Sequence, residues 1–276
     1  MLSKFYVEEH IKSALREDIG FGDITTESLA GDYDILVGKL ISRSEGILCG
    51  CDVFRTVFEI LSKDIDIKFN FKDGDKITKG DVIADVKGSA KALLMGERVA
   101  LNYIQRMSGI ATETRKFQDA VKPYSARIVD TRKTTPNFRA FEKYAVKIGG
   151  GSLHRFNLSD CAMIKDNHIK LAGSIKKAVN KLRENISHAH KIEVECDTLK
   201  QVKEAILSGA DIIMLDNMSI TNMKKACEMI GNKAIIEASG SVNLESVNQI
   251  ASTGVDIIST SAIVAKASTL DIGLDI

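Results

Sequence analysis

Polar and ionisable side chains follow directly after a series of short apolar runs in the second half of the chain. Such a run is typical of a buried strand, so a charged residue at its end loses hydration unless a partner or a ligand compensates. In chain order these ends read Asp130-Thr131-Arg132-Lys133, Lys165-Asp166-Asn167-His168, Glu195, Asp216-Asn217, Glu237-Ala238-Ser239-Gly240 and Ser259-Thr260-Ser261. If these ends meet at one rim, they predict a site for a charged ligand.

Charge divides the predicted rim into two halves. Residues 130–168 supply the cations, and they include Gly149-Gly150-Gly151 and the pair His154-Arg155. Glycine lets backbone approach a ligand closely, and adjacent cations favour an anion. Glu195 and Asp216 form the acidic half, which suits a Mg²⁺ ion, ribose hydroxyls or a developing positive charge. The pattern therefore predicts a polyanionic ligand held beside two carboxylates.

Each of these residues, taken alone, has a simpler explanation. Arg132 and Lys133 could form an exposed charge run. His168 could cap a neighbouring loop, and Glu237 could only orient backbone. The prediction of a site depends on the joint pattern.

The apolar runs recur with the spacing of a repeated unit. They cover residues 126–130, 162–165, 191–195, 212–216, 234–238 and 255–259. Most are separated by roughly 20 to 25 residues with a helical pattern, as the βα units of a parallel barrel require. A doubly wound open sheet is the competing architecture, but no GxGxxG motif follows the first strand. We therefore predict an α/β barrel.

The first part of the chain has a different pattern, which changes near residue 110. Apolar spacing predicts helices over residues 7–16 and 53–61 and a long helix from Ala90. Strand-like runs lie at 35–41 and 65–71. Residues 72–84 read as turn, strand and turn, which predicts β-hairpin packing. A similar segment occurs in lipoyl-type carriers, but here no Lys flanked by Met marks a hairpin tip.

Composition narrows the classes of function. Lys and Arg total 38 against 37 for Asp and Glu, so no global field favours nucleic acid or an anionic membrane. Acidic residues interrupt the N-terminus where a signal peptide needs an apolar core, and no apolar run approaches the roughly 20 residues that span a bilayer. The five cysteines form no CxxC pair, as expected in a reducing compartment. We expect a cytoplasmic protein.

Motifs along nearly the whole chain carry a family resemblance. They lie at residues 17–26, 96–102, 108–112, 130–136, 142–146, 149–151, 154–155, 164–169, 193–195, 214–217 and 237–240, and include Asp130-Thr131-Arg132-Lys133-Thr134-Thr135-Pro136. Through them the chain resembles quinolinate phosphoribosyltransferase, the carboxylating nicotinate-nucleotide pyrophosphorylase. The resemblance implies synthesis of nicotinate mononucleotide, pyrophosphate and CO₂ from quinolinate and phosphoribosyl pyrophosphate in de novo NAD biosynthesis.

The resemblance also implies an architecture. It is the type II phosphoribosyltransferase fold, with an N-terminal open-faced α/β sandwich over residues 1–110 and a seven-stranded α/β barrel over 111–265. Residues from about 266 to 276 would return to the first domain. The chain would be at least a homodimer, possibly a hexamer, in which the N-terminal domain of one subunit covers the barrel mouth of the other. Arg98 would then act across the interface.

Family roles carry over to matching positions of this chain. Quinolinate would contact Arg98, Thr131, Arg132, His154, Arg155 and Lys165. Phosphoribosyl pyrophosphate would contact Lys133, Glu195, Asp216, Ser239, Gly240 and Ser261. The catalytic set would be Lys133, Lys165, Glu195 and Asp216, with Mg²⁺ held, directly or through water, by the last two.

Two positions depart from the family pattern. Leu153 stands where many relatives have Asn, and the loop from Ser261 to Lys266 lacks the His that would fall at Ala265. Lys266 could substitute as a cation or be simply exposed.

The sequence leaves three alternative functions open. The nearest is a phosphoribosyltransferase-like protein associated with molybdate transport. A Schiff-base lyase could use Lys133 or Lys165. A non-catalytic phosphate-binding barrel would leave Glu195 and Asp216 without an obvious use.

Overall fold

The chain folds into two compact units, as a computed structural model of residues 2–276 describes them. Unit 1 comprises the residues up to Arg115 together with Ala140–Gly150 and Ala267–Ile276. Unit 2 comprises Lys116–Arg139 and Gly151–Lys266. No helix among the described residues is both long enough and apolar enough to cross a membrane.

Unit 1 is built on an antiparallel sheet with strand order β12-β1-β5-β3. Its strands are β1 (Ile35–Ser42), β3 (Ile65–Phe69), β5 (Val82–Ser89) and β12 (Ile272–Asp275). A small pair joins β2 (Gly46–Ile47) to β4 (Lys76–Ile77). The helices are α1 (Lys4–Ile19), α2 (Ile24–Leu29), α3 (Cys51–Leu61), α5 (Arg139–Ile148) and the long α4 (Ala90–Ala120), whose last residues fall in unit 2.

Apolar spacing explains the core of unit 1. Helix α3 buries Val53, Phe54, Val57 and Phe58, which recur every three or four residues along one face. This is the helix expected near residues 53–61, and the other predicted helices and strands of this part are also present.

Residues 140–150 group with unit 1, although the sequence-based division placed them in the barrel. The physical reason is the burial of an aromatic side chain. Phe141 on α5 is fully buried, and its ring centroid lies 5.2 Å from that of Tyr103 and 4.8 Å from that of His10. Burying this aromatic face gives α5 its place in unit 1.

Unit 2 is a parallel sheet of six strands in the order β6-β11-β10-β9-β8-β7. The strands are β6 (Arg127–Val129), β7 (Ala162–Ile164), β8 (Ile192–Cys196), β9 (Ile212–Asp216), β10 (Ile235–Ser239) and β11 (Ile257–Ser259). Between them run α6 (Asp166–Ala172), α7 (Ile175–Asn185), α8 (Leu199–Leu207), α9 (Ile220–Ile230) and α10 (Leu244–Ala251), and the short α11 (Ala262–Ala265) follows β11.

The α/β-barrel prediction is confirmed, and all six predicted runs are strands. The seventh position is a single parallel bridge between Ser152 and Val129 rather than a full strand. Because all strands run in parallel, their carboxyl ends lie at one edge. The strand register aligns these carboxyl ends, because Ser239 pairs with Asp216 and Ile164 pairs with Val194.

Gly109 on α4 offers a test of the packing in unit 1. A Cβ at this position would collide with the backbone carbonyl oxygen of Ser268, which cannot move independently of its chain. We expect Gly109→Ala to lower the free energy of unfolding by several kcal/mol, about the cost of an overpacked core site or more. Urea unfolding measures this.

Gly31→Ala is the matched control, because its new Cβ would meet only the carboxylate of Asp34, at 3.3 Å. Equal stability of the two variants would contradict the close approach at Gly109.

Candidate active site

A cavity of about 840 Å³ opens at the carboxyl ends of the unit 2 strands. All the residues that received a substrate or catalytic role from the family resemblance line it except Arg98: Thr131, Arg132, Lys133, His154, Arg155, Lys165, Glu195, Asp216, Ser239, Gly240 and Ser261. Met163, Met214, Ser241, Asn243 and Lys266 also contribute. Arg98 is exposed on α4 in unit 1.

Two guanidinium groups define the cationic wall. Arg155 donates from Nη1 to the carbonyl oxygen of Cys161 at 2.8 Å, and its Nη2 lies 3.6 Å from the Sδ of Met163. The Nε of Arg132 is buried without a hydrogen-bond partner. Loss of hydration, with the charges of Arg155 and Arg139, lowers the pKa of Arg132. The wall therefore holds positive charge that an anion would stabilise.

A lysine–glutamate pair stands next to this wall. Lys165 follows β7 and donates from Nζ to the Oε2 of Glu195 at 2.6 Å, across neighbouring parallel strands. Asp216 ends β9, and its Oδ2 accepts from the side-chain amide of Asn217 at 3.0 Å. Both carboxylates remain partly exposed to the cavity.

Hydroxyl and backbone groups form the opposite wall. Gly240 and Ser241 after β10 both have left-handed backbone, with φ of 94° and 51°. A Cβ on Gly240 would collide with the side chain of Asn217, so glycine is required twice over at this position. Asn243 then caps α10 by accepting from the backbone of Ser246 at 2.9 Å. Backbone N–H groups of a turn that leads into a helix N-terminus can bind a phosphate.

His154, a predicted quinolinate ligand, lines the cavity, but its ring nitrogens also contact groups of the protein. Its Nδ1 accepts from the backbone N–H of Arg155 at 2.7 Å. Its Nε2 lies 3.4 Å from Glu193 Oε2 and 3.5 Å from Glu237 Oε1. Both ring nitrogens are thus taken up by groups of the protein.

The proton on the His154 ring faces two acids. Because Nδ1 accepts from the backbone N–H of Arg155, the ring N–H lies on Nε2, toward Glu193 and Glu237. Burial raises the pKa of Glu193.

This cluster is also the one group of three potential metal ligands found among residues 2–276. A metal-binding imidazole normally donates its second N–H to an acceptor. Here the second nitrogen is itself an acceptor, so the arrangement suits hydrogen bonding rather than a metal.

Glu195 and Asp216 are the better fit for Mg²⁺. This ion uses one or two carboxylates and keeps waters and substrate phosphates as its other ligands. Two partly exposed carboxylates at the edge of an open cavity provide that donor set.

Some predicted residues have other roles. His168 caps a helix, its Nδ1 accepting from the backbone N–H of Lys165 at 3.0 Å, which is the simpler explanation given above. Gly149 does not line the cavity. It packs against α4, where a Cβ would lie 2.5 Å from the carbonyl oxygen of Ala111.

Sequence reasoning missed the part played by Glu193. The signal was available, because Glu193 and Glu195 are two apart on β8 and therefore face the same side of the sheet.

A parallel barrel with a polyanion cavity at its strand ends, joined in one chain to an antiparallel sheet, defines a class: the α/β-barrel phosphoribosyltransferases. Comparison with known proteins identifies the family within it. Models of quinolinate phosphoribosyl transferase match over residues 23–108 for the N-terminal domain and 110–275 for the C-terminal domain. The chain belongs to the quinolinate phosphoribosyltransferase family.

Relatives from distant organisms are similar to this chain over nearly its whole length. The probable nicotinate-nucleotide pyrophosphorylase (carboxylating) of Bacillus subtilis (strain 168) is 44% identical over 260 residues, or 94% of this chain and 90% of the relative. The chloroplastic nicotinate-nucleotide pyrophosphorylase (carboxylating) of Arabidopsis thaliana is 40% identical over 286 residues. The match covers 96% of this chain and 81% of the relative. The crystal structure of NadC from Streptococcus pyogenes superposes with a TM-score of 0.96 at 38% identity, over 100% of this chain and 97% of that one.

Proposed function

We propose that the chain transfers the phosphoribosyl group of phosphoribosyl pyrophosphate to quinolinate and releases pyrophosphate and CO₂, forming nicotinate mononucleotide for NAD biosynthesis. The names of the relatives support this reaction. The observation that carries it is the convergence of Arg132, Arg155 and Lys165 on a cavity whose opposite wall offers hydroxyl and amide donors. The first wall suits a dicarboxylate and the second a phosphate ester.

The cationic wall would bind quinolinate. Guanidinium groups pair with carboxylates through two parallel hydrogen bonds, so Arg132 and Arg155 would hold the two carboxylates and fix the plane of the ring. Thr131 adds a hydroxyl beside them. This aims the pyridine nitrogen across the cavity toward the ribose.

Phosphoribosyl pyrophosphate would occupy the other side. Its 5′-phosphate fits the donors of Ser239, Gly240 and Ser261, with Lys266 as the nearby cation. Its pyrophosphate lies toward Lys133, and its ribose toward Glu195 and Asp216. Mg²⁺, bound through these carboxylates or their waters, would supply neutralising charge to the leaving pyrophosphate.

Transfer then follows from position and charge. The pyridine nitrogen forms a bond to C1 of the ribose as the bond from C1 to the pyrophosphate oxygen breaks, and the electron pair leaves with pyrophosphate. Positive charge grows on the ribose in the transition state, and the carboxylates of Glu195 and Asp216 stabilise it. Holding the two substrates in line removes much of the entropic barrier.

Loss of CO₂ completes the reaction. The bond from C2 of the ring to its carboxylate breaks, and the electron pair remains on C2 next to the cationic nitrogen. The nearby cations Lys165 and Arg132 stabilise this developing charge. A proton then adds to C2 to give nicotinate mononucleotide.

We further propose a homodimer that completes the site. Phe21, Ile24 and Tyr33 of unit 1 and Leu158 and Leu171 of unit 2 are between 70% and 114% exposed, and a subunit interface would remove such apolar surface from water. Arg98 on α4 is also exposed, and we assign it to the quinolinate site of the partner subunit.

We place the protein in the cytoplasm, because its five free cysteines are those expected in a reducing compartment.

The Schiff-base alternative is less well supported. A nucleophilic lysine is favoured by an apolar pocket that removes it from water. Lys165 instead contacts the carboxylate of Glu195 at 2.6 Å, and Lys133 is exposed.

The deciding assay incubates the protein with Mg²⁺, phosphoribosyl pyrophosphate and either quinolinate or nicotinate. With quinolinate we expect nicotinate mononucleotide and CO₂ in equal amounts. With nicotinate we expect a kcat/KM lower by about 10⁴, because cations of the wall that pair with the second carboxylate are left unpaired. Chromatography and trapped CO₂ measure the products. Equal turnover of the two acids would contradict the assignment of the cationic wall.

Mixing two inactive variants tests the shared site. Arg98→Ala and Arg132→Ala should each lose quinolinate turnover while remaining folded. If Arg98 serves the partner, a mixed dimer has one intact site, so an equal mixture after subunit exchange should recover about a quarter of wild-type activity. Mixtures that stay inactive, with exchange verified by mass spectrometry, would place both arginines in the site of one subunit.

A further inference from the structure

Two buried carboxylic acids take no part in the reaction proposed above. Glu193 on β8 is 0% exposed and Glu237 on β10 is 2% exposed. Both oxygens of Glu193 and the Oε1 of Glu237 make no hydrogen bond of normal length. Burial of such groups is strongly unfavourable without compensation. Their common neighbour is the Nε2 of His154, at 3.4 and 3.5 Å.

We propose that Glu193 and Glu237 are positioning residues that orient His154, and that His154 in turn fixes Arg155 in the quinolinate site. The inference deepens the proposed function and rests on it. It assigns His154 a place between the barrel interior and the cavity.

A continuous series of contacts supports this order. The Nε2–H of His154 points at the two carboxylates, which fixes the tautomer and leaves Nδ1 as an acceptor. Nδ1 accepts from the backbone N–H of Arg155 at 2.7 Å. The backbone N–H of His154 donates to Asp130 Oδ1 at 2.8 Å. Both backbone N–H groups of the His154-Arg155 pair are thereby held.

The far end of the series reaches the cavity. With its backbone held, Arg155 places Nη1 2.8 Å from the carbonyl oxygen of Cys161. That bond orients the plane of the guanidinium, which determines whether two parallel bonds to a carboxylate can form. A small rotation of His154 would therefore tilt the group that binds quinolinate.

Stability alone does not account for the two acids. Apolar side chains of similar volume are usually at least as stabilising at buried positions as ion pairs. The chain has such apolar side chains at neighbouring positions. Met163 is the register partner of Glu193, and Met214 is the register partner of Glu237. Acids at two inward positions around one imidazole indicate a role in orienting it.

The test combines spectroscopy with kinetics on the full-length protein. Glu193→Gln and Glu237→Gln keep side-chain volume, and Glu228→Gln on the exposed face of α9 is the matched control. The chain has five histidines, so the ¹⁵N signals of His154 can be assigned by their loss in His154→Asn. These signals report the tautomer without substrates, independently of whether the proposed reaction occurs.

We expect both glutamine variants to shift the His154 signals and the control to leave them unchanged. We expect KM for quinolinate to rise about tenfold, comparable to the loss of one hydrogen bond to a charged group, while KM for phosphoribosyl pyrophosphate stays within about twofold.

Unchanged His154 signals in both variants would overturn the positioning role, as would an unchanged KM for quinolinate. Two KM values that rise together would also overturn it, because that result marks a general disturbance of the barrel. If a glutamine variant fails to fold, Glu237→Asp provides the same two measurements with the charge retained. Absence of product from the wild-type protein would reject the proposed function. The ¹⁵N spectra would still show whether Glu193 and Glu237 orient His154, because they are recorded without substrates.

Discussion

Like charges brought together at a barrel mouth repel one another, and this repulsion is the constraint on which the site depends. Loss of hydration and the nearby Arg155 and Arg139 already lower the pKa of Arg132. Carboxylates at several depths offset the charge. Glu195 pairs with Lys165 at the cavity, and Glu193 and Glu237 lie in the interior. The cavity remains cationic enough to attract an anion because two of the compensating carboxylates, Glu193 and Glu237, lie beneath it rather than within it.

Parallel strands make this layered arrangement possible. Residues two apart on a strand face the same side, so β8 presents Glu193 to the interior and Glu195 to the rim. β10 does the same with Glu237 and Ser239. One strand thus supplies a buried residue and a cavity residue with no change of backbone direction. The loops need only provide local features, such as the left-handed pair Gly240 and Ser241.

Much of this could be predicted from the sequence, because strand ends in a parallel barrel must share an edge. The six apolar runs and their polar ends were enough to bring Arg132, Lys165 and Asp216 together. Side-chain direction could not be predicted in the same way. The ring of His154 turns inward because two acids from other strands meet its Nε2, and spacing along the chain does not reveal that meeting. The packing of Phe141 in unit 1 depends likewise on aromatic partners distant in sequence.

The pairing of β12 with β1 has a consequence for synthesis of the protein. Leu40 lies opposite Leu274 in an antiparallel ladder, so the sheet of unit 1 pairs a strand that precedes the barrel with one that follows it. While the ribosome is still adding the barrel, β1 has β5 on one side and an open edge on the other. An unpaired edge invites association with other nascent chains. Contacts of such long sequence separation also form slowly, so this sheet closes only after the barrel residues have been added.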